Sequence, residues 1–241
     1  MIAWLEPGAP FPDVAGALDT PNGLLAASDS VTTASLLAAY PRGIFPWYSE
    51  GDPVLWWCPD PRMVLPTAEF RVSRSLRKRL AAVARDPSWE IRLDHDFTAV
   101  MRACAAPRPG QDGTWISEEV IAAYSGLAAL DHAHSVEVRK DGELVGGAYG
   151  VSLGRMFFGE SMFSRRTDAS KVALAALVAL LSQEQVPVID CQQRTAHLAS
   201  LGAREMPRGA FCAHVARAAA LEPVDWRAYR DTPLNRLLEK Y

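Results

Sequence analysis

The chain has 241 residues, 49% of them hydrophobic, and its 25 basic and 28 acidic side chains leave a formal charge of −3. That length can bury a full core, as one large domain or one domain with a small appendage, and the charge argues against a protein that coats nucleic acid indiscriminately. The amino end lacks a basic region and no apolar run reaches bilayer length, so a cytoplasmic protein that does not engage a membrane is expected.

The first sixty residues are rich in Pro, Gly and Trp and hold one helical stretch, 32–40, halted by Pro41-Arg42-Gly43. Val54-Leu55-Trp56-Trp57 has strand character. Pro59-Asp60-Pro61 then gives a strong turn signal, which sets the expected boundary between a small amino-terminal domain, 1–60, and a larger domain, 61–241. From Phe70 to Arg85 six basic residues occur without an acid: Arg71, Arg74, Arg77, Lys78, Arg79 and Arg85. A helix beginning after Ser73 places Arg74, Arg77 and Lys78 on one face and turns Leu76, Leu80 and Val83 to the core. Such a face can follow a phosphate backbone, although on charge pattern alone a plain solvated face is an equal reading.

Further helices are expected at 96–105, 117–130, 169–184, 193–200 and 208–220. His134 to Arg139 and Glu143 to Val151 flank Asp141-Gly142 and should pair as a hairpin, with a third strand from Arg155 to Gly159. The helix at 169–184 leads into a strand from Val186 to Asp190, a spacing that suits a parallel return into the same sheet. The fold class is therefore α/β (α+β), with a mixed, largely antiparallel sheet flanked by helices.

Two apolar segments each run into an acid: Phe157-Phe158-Gly159-Glu160-Ser161 and Val188-Ile189-Asp190-Cys191-Gln192. At the ends of neighbouring buried strands an ionised carboxylate needs partners, which makes Glu160 and Asp190 a candidate active site. Pairing with Arg165, Arg166 or Lys171 is the plainer alternative. Strand alternation puts Asp190 and Gln192 on one side, with Cys191 pointing away. Cys58, Cys104, Cys191 and Cys212 show no CxxC spacing, and the closest histidine pair, His132-Ala133-His134, lacks a third ligand and reads as a surface or strand-end feature. No metal or other cofactor is expected.

Tyr40-Pro41-Arg42-Gly43-Ile44-Phe45-Pro46-Trp47-Tyr48, Trp56-Trp57-Cys58-Pro59-Asp60-Pro61-Arg62, Gly113-Thr114-Trp115-Ile116, Phe158-Gly159-Glu160-Ser161-Met162-Phe163-Ser164 and Asp190-Cys191-Gln192 resemble the leucyl/phenylalanyl-tRNA–protein transferases. Asp168-Ala169-Ser170-Lys171 and His197 to Ala203 continue the likeness in order, so it spans most of the chain. The resemblance implies a GNAT-like larger domain and a bacterial enzyme of the N-degron pathway; a monomer is expected. Such an enzyme moves leucine or phenylalanine, and less readily methionine, from leucyl-tRNA or phenylalanyl-tRNA to proteins with amino-terminal arginine or lysine.

The resemblance also implies roles. Asp190 and Gln192 match the catalytic positions, Asp190 orienting or deprotonating the incoming amine, while Glu160 binds a cation on either substrate. Phe157, Ser161, Met162, Leu174, Leu177, Ile189 and Ala148 are expected around the aminoacyl side chain. Ala148 stands where relatives carry a larger methionine, so a roomier pocket that favours phenylalanine is expected. Trp47 and Trp115 match positions that hold the terminal adenosine, and Arg74, Arg77, Lys78 and Arg79 those that meet the tRNA backbone. Attack of an amine on an already activated ester needs chiefly positioning, worth about 7–11 kcal/mol, so no catalytic triad is required. A coenzyme A-dependent acetyltransferase is the nearest alternative, but 145–150 lacks the helix-opening context of a pyrophosphate loop. A non-catalytic RNA-binding protein would leave both acids unexplained.

Overall fold

The computed structural model describes residues 2–49, 51–107 and 114–241; Gly113 of the quoted Gly113-Thr114-Trp115-Ile116 segment lies outside them. Strands β1 (Ala3–Leu5), β2 (Leu24–Ser28), β3 (Phe45–Pro46) and β4 (Val54–Trp57) form a small sheet in the order β1-β2-β4-β3. Strands β5 (Arg62–Pro66), β6 (Trp89–Leu93), β7 (Ala133–Lys140), β8 (Glu143–Leu153), β9 (Met156–Ser164), β10 (Val188–Asp190) and β11 (Arg204–Met206) form a second sheet in the order β11-β5-β10-β9-β8-β7-β6. In this sheet β9 and β10 run parallel and the other neighbours antiparallel.

The helices are α1 (Thr33–Ala39), α2 (Arg74–Arg85), α3 (Phe97–Ala105), α4 (Glu118–Ala129), α5 (Ala169–Gln183), α6 (Ala196–Ser200) and α7 (Arg208–Ala219). α5 is apolar on nearly every side because it is buried on nearly every side, from Val172 to Leu181. With Leu76, Leu80 and Val83 of α2 and the 3-10 segment Leu234–Lys240, it covers one face of the large sheet. α3, α4 and α7 cover the other face, in one continuous core with the small sheet and α1. Trp56 lies in that shared core, edge-on to Phe11 at 4.8 Å, and Trp57 is buried beside it.

Most expected elements lie within two residues of those observed; three differ in ways that matter for the site. The strand expected over 155–159 runs on to Ser164, so Glu160, Ser161 and Met162 lie within it. β10 begins at Val188 because the carbonyls of Val186 and Pro187 accept hydrogen bonds from Thr67 instead. The helix expected from 193 begins at Ala196, since Gln192 is left-handed (φ 57°) and the Thr195 hydroxyl caps the amide of Leu198. His134 is no surface residue. It is buried, stacked on Trp226 at 4.2 Å, and its Nδ1 lies 2.8 Å from Asp94. Among the described residues no helix is long and apolar enough to cross a membrane, and no group of three or more His, Cys, Asp or Glu is placed to hold a metal.

Candidate active site

The site begins at an irregularity in the β8–β9 ladder. Gly150 pairs with Gly159 and Tyr149 with Ser161, which leaves Glu160 as an extra residue without a partner on β8. A bulge of this kind bends the strand and re-aims the side chain. Here Glu160 keeps the face of Phe158, where Tyr40 and Tyr124 lie, and the extra residue returns Met162 to the side of α5. Gly150 makes the approach possible, because a Cβ there would lie 2.2 Å from the Phe158 carbonyl oxygen and 2.5 Å from the Phe157 ring.

Glu160 is half-buried and collects three donors. The Tyr40 hydroxyl donates to Oε1 at 2.7 Å, the Tyr124 hydroxyl to Oε2 at 3.2 Å, and Gln192 Nε2 to Oε1 at 3.0 Å. The two hydroxyls are themselves 2.5 Å apart. Burial, aided by the negative charge of Asp190, pushes the Glu160 carboxyl up to about 7, against the Tyr40 and Tyr124 hydrogen bonds and the charge of Arg62. Burial and the neighbouring Glu160 hold both tyrosines well above 10, so they remain protonated donors.

Asp190 finds a partner that differs from the arginines and lysine adjacent in sequence to the acids. Arg62, at the start of β5, donates from Nε to Oδ1 at 2.8 Å and from an Nη nitrogen to Oδ2 at 2.6 Å. Both side chains are fully buried. Lys171 pairs instead with Asp168 at 2.9 Å, and the Arg165 guanidinium lies over the Phe163 ring. Asp190 and Gln192 do face the same site, as alternation predicts, but Gln192 gets there by a turn, because β10 ends at Asp190. The Gln192 amide donates to Asp190 Oδ1 at 2.9 Å, and its side chain turns back to Glu160.

A cavity of about 760 Å³ opens beside these groups. Glu160, Asp190 and Gln192 line it, with Ser161, Met162, Leu174, Leu177, Ile189 and Ala148 along its walls. Ala148 lies directly across the ladder from Met162. Phe157 does not line the cavity: it points into the core, where its ring packs 5.8 Å from that of Trp226. It shares the α5 side of the sheet with Met162 and Ile189 but lies three residues before the bulge, fully enclosed by core side chains. Leu65 and Leu198 also line the space, although their sequence positions gave no signal for it; Cys191, expected to point away from Asp190, packs on the α5 side and still lines the cavity from there.

The tryptophans lie outside this lining. Trp47 is 45% exposed and edge-on to Trp57 at 5.9 Å, while Trp115 is half-buried and edge-on to Tyr124, the donor to Glu160, at 6.4 Å. On α2, Arg74, Arg77 and Lys78 are exposed and Arg79 is half-buried. Tyr40, Tyr124 and Arg62 are the site residues that sequence reasoning missed. Tyr40 and Arg62 fall inside quoted motifs, but residue type alone gives a tyrosine after a helix, or an arginine after a proline, no distinctive chemistry.

A family model described as leucyl/phenylalanyl-tRNA protein transferase matches residues 64–216, and a second, for the N-terminal domain of those proteins, matches residues 29–60. The leucyl/phenylalanyl-tRNA–protein transferase of Burkholderia vietnamiensis is 60% identical over 231 residues, covering 94% of this chain and 91% of its own. That of Burkholderia pseudomallei matches at the same identity and coverage. Among solved structures, the C-terminal domain of a putative lysylphosphatidylglycerol synthetase from Agrobacterium fabrum gives a TM-score of 0.46 at 13% identity, covering 80% of this chain and 71% of that one. A GCN5-related N-acetyltransferase-like protein from Streptococcus suis gives 0.35 at 15% identity, covering 69% and 61%. At these scores neither likeness bears on function.

Proposed function

This chain belongs to the leucyl/phenylalanyl-tRNA–protein transferase family, and we propose that it moves leucine or phenylalanine from aminoacyl-tRNA to the α-amino group of proteins that begin with arginine or lysine. It is an aminoacyltransferase, and we place its reaction at the mouth of the cavity beside Glu160. The product is a protein carrying a new amino-terminal residue, the mark of an N-degron in the bacterial cytoplasm.

The observation that carries this reading is the Glu160 carboxyl, met by Tyr40, Tyr124 and Gln192 at the head of a largely apolar cavity, where burial pushes it up to about 7. The acceptor's α-ammonium, with an ordinary pKa near 8, must lose a proton before its nitrogen can attack the ester carbonyl. A carboxylate with a pKa near the working pH suits that task. As the new C–N bond forms, the nitrogen gives up a second proton, the tetrahedral centre collapses with cleavage of the C–O bond to the ribose, and the oxygen leaves carrying that proton. Gln192 holds Glu160 Oε1 toward the site at 3.0 Å. Asp190 is less suited to receive the proton, since Arg62 occupies both of its oxygens. Met162, Leu174, Leu177 and Ile189 supply an apolar wall for the leucyl or phenylalanyl side chain.

Trp47 offers an exposed ring for the terminal adenosine, and Trp115 stands next to the tyrosine that meets Glu160; each stacking contact is worth about 1–3 kcal/mol. The exposed Arg74, Arg77 and Lys78, with Arg79, suit the acceptor-stem phosphates. The test is transfer of label from leucyl-tRNA to a peptide beginning with arginine. Transfer should proceed, vanish after ribonuclease treatment of the tRNA, and fail with a peptide beginning with glutamate. Transfer from acetyl-coenzyme A in place of aminoacyl-tRNA would overturn the reading.

A further inference from the structure

The chemistry above gives no step to the fully buried Arg62 beside the site. We propose that Arg62 is a positioning residue for the transfer, acting on Glu160 through Asp190 and Gln192. This rests on the reading that Glu160 and Gln192 meet the amine.

Arg62 is held from four sides. Its guanidinium lies between the rings of Phe45 and Phe211, at 4.6 and 4.5 Å, and one Nη nitrogen donates to the carbonyl of Gly43 at 3.0 Å. The remaining edge forms the fork to Asp190. Gly43 is left-handed (φ 76°), and a Cβ there would lie 2.9 Å from the Phe211 ring, so the carbonyl and the ring can close on the guanidinium together only around a glycine. The small sheet, the turn after α1, and α7 thus meet on one side chain.

A guanidinium locked in this way fixes the plane of its carboxylate. Asp190 Oδ1 then accepts the Gln192 amide at 2.9 Å, while the Gln192 carbonyl accepts from the amide of Met63, the residue after Arg62. Between these two bonds Gln192 is held at φ 57°, a conformation that a residue with a side chain adopts when its surroundings impose it. From there its Nε2 reaches Glu160.

Stability alone does not account for the pair. A buried ion pair gives little or no net stability over apolar side chains of similar size, so Arg62 and Asp190 contribute something that apolar packing would not. Orientation of Gln192 is what their geometry supplies.

The test uses Arg62→Lys, Gln192→Ala and the double variant of the full chain. Two quantities are read: the single-turnover rate of transfer from leucyl-tRNA to an arginine peptide, and hydrogen exchange at the Gln192 amide. Arg62→Lys keeps the charge and loses the fork, so its rate should fall by about 10²-fold while leucyl-tRNA affinity stays within about threefold. The double variant should be no slower than the slower single one, and the Gln192 amide should lose protection in Arg62→Lys. Losses that multiply, or an unchanged rate and unchanged protection, overturn the proposal.

If Arg62→Lys fails to fold, the pair replacement Arg62→Met with Asp190→Leu substitutes apolar packing for the ions. That variant should fold, expose the Gln192 amide to exchange, and transfer at least about tenfold more slowly; transfer at the original rate overturns the proposal. Absence of leucine transfer by the unaltered protein would instead defeat the functional reading, while the exchange measurement would still report on what Arg62 holds.

Discussion

Arg62 grips both carboxylate oxygens of Asp190, at 2.8 and 2.6 Å, with neither side chain exposed to solvent. Desolvation of the two ions offsets most of their attraction, so the pair adds little while intact and costs much when broken. That asymmetry governs what a substitution at Asp190 can reveal.

Asp190→Ala should destabilise the fold by about 3–5 kcal/mol, because it strands the Arg62 charge among Phe45, Phe211 and buried backbone. Urea denaturation followed by tryptophan fluorescence measures this directly. Loss of activity in that variant is therefore no proof that Asp190 takes a proton. A stability equal to that of the unaltered protein would mean that the pair does not stay closed in solution.

Glu160→Gln keeps the shape of the bulge residue and removes its charge. Transfer should fall by about 10²–10⁴-fold, and the acid limb of the pH–rate profile, centred near 7, should disappear. Stability should respond too. The folded-state carboxyl titrates at about 7 against an ordinary 4.5, so between those values the folded chain binds a proton that the unfolded chain has lost. The stability it contributes is complete below about pH 4.5 and is lost as pH rises through 7. Relative to Glu160→Gln, the unaltered protein should lose stability across that window; parallel melting curves from pH 5 to 8 would refute the shift.

Ala148→Met should narrow the cavity, since Ala148 lines it and faces Met162 across the ladder. In competition between leucyl-tRNA and phenylalanyl-tRNA the variant should shift toward leucine by about 10-fold or less, the scale of small steric changes in apolar pockets. An unchanged ratio would place the selecting wall elsewhere, at Leu65 or Leu198 among the other lining residues.

Trp47→Ala should weaken aminoacyl-tRNA binding by about 1–3 kcal/mol with little change in melting temperature, because Trp47 is 45% exposed. Trp57→Ala should do the reverse. Its ring is buried in the core shared by the two sheets and its Nε1 donates to the Trp47 carbonyl, so removal should cost about 3–5 kcal/mol of stability. Equal effects of the two changes on binding would argue against a special role for the exposed ring.

Much of this protein is set by local patterns that the chain carries on its own. The apolar repeat of α5, the Asp141-Gly142 turn between β7 and β8, and the face of α2 that turns Leu76, Leu80 and Val83 inward all follow from side-chain period and turn chemistry. So did the choice of Glu160 and Asp190, because an acid at the end of an apolar run demands a partner wherever it folds. The partners themselves were decided by the tertiary structure. Arg62 reaches Asp190 across 128 positions and Tyr40 reaches Glu160 across 120, contacts that no local rule specifies. The bulge at Glu160 depends on how two strands register against each other, and the left-handed Gln192 on bonds to Asp190 and Met63. Charge and pattern nominate ionisable groups one element at a time, whereas pKa and orientation arise from what several strands and helices bring within hydrogen-bonding distance, and that is a property of the assembled fold.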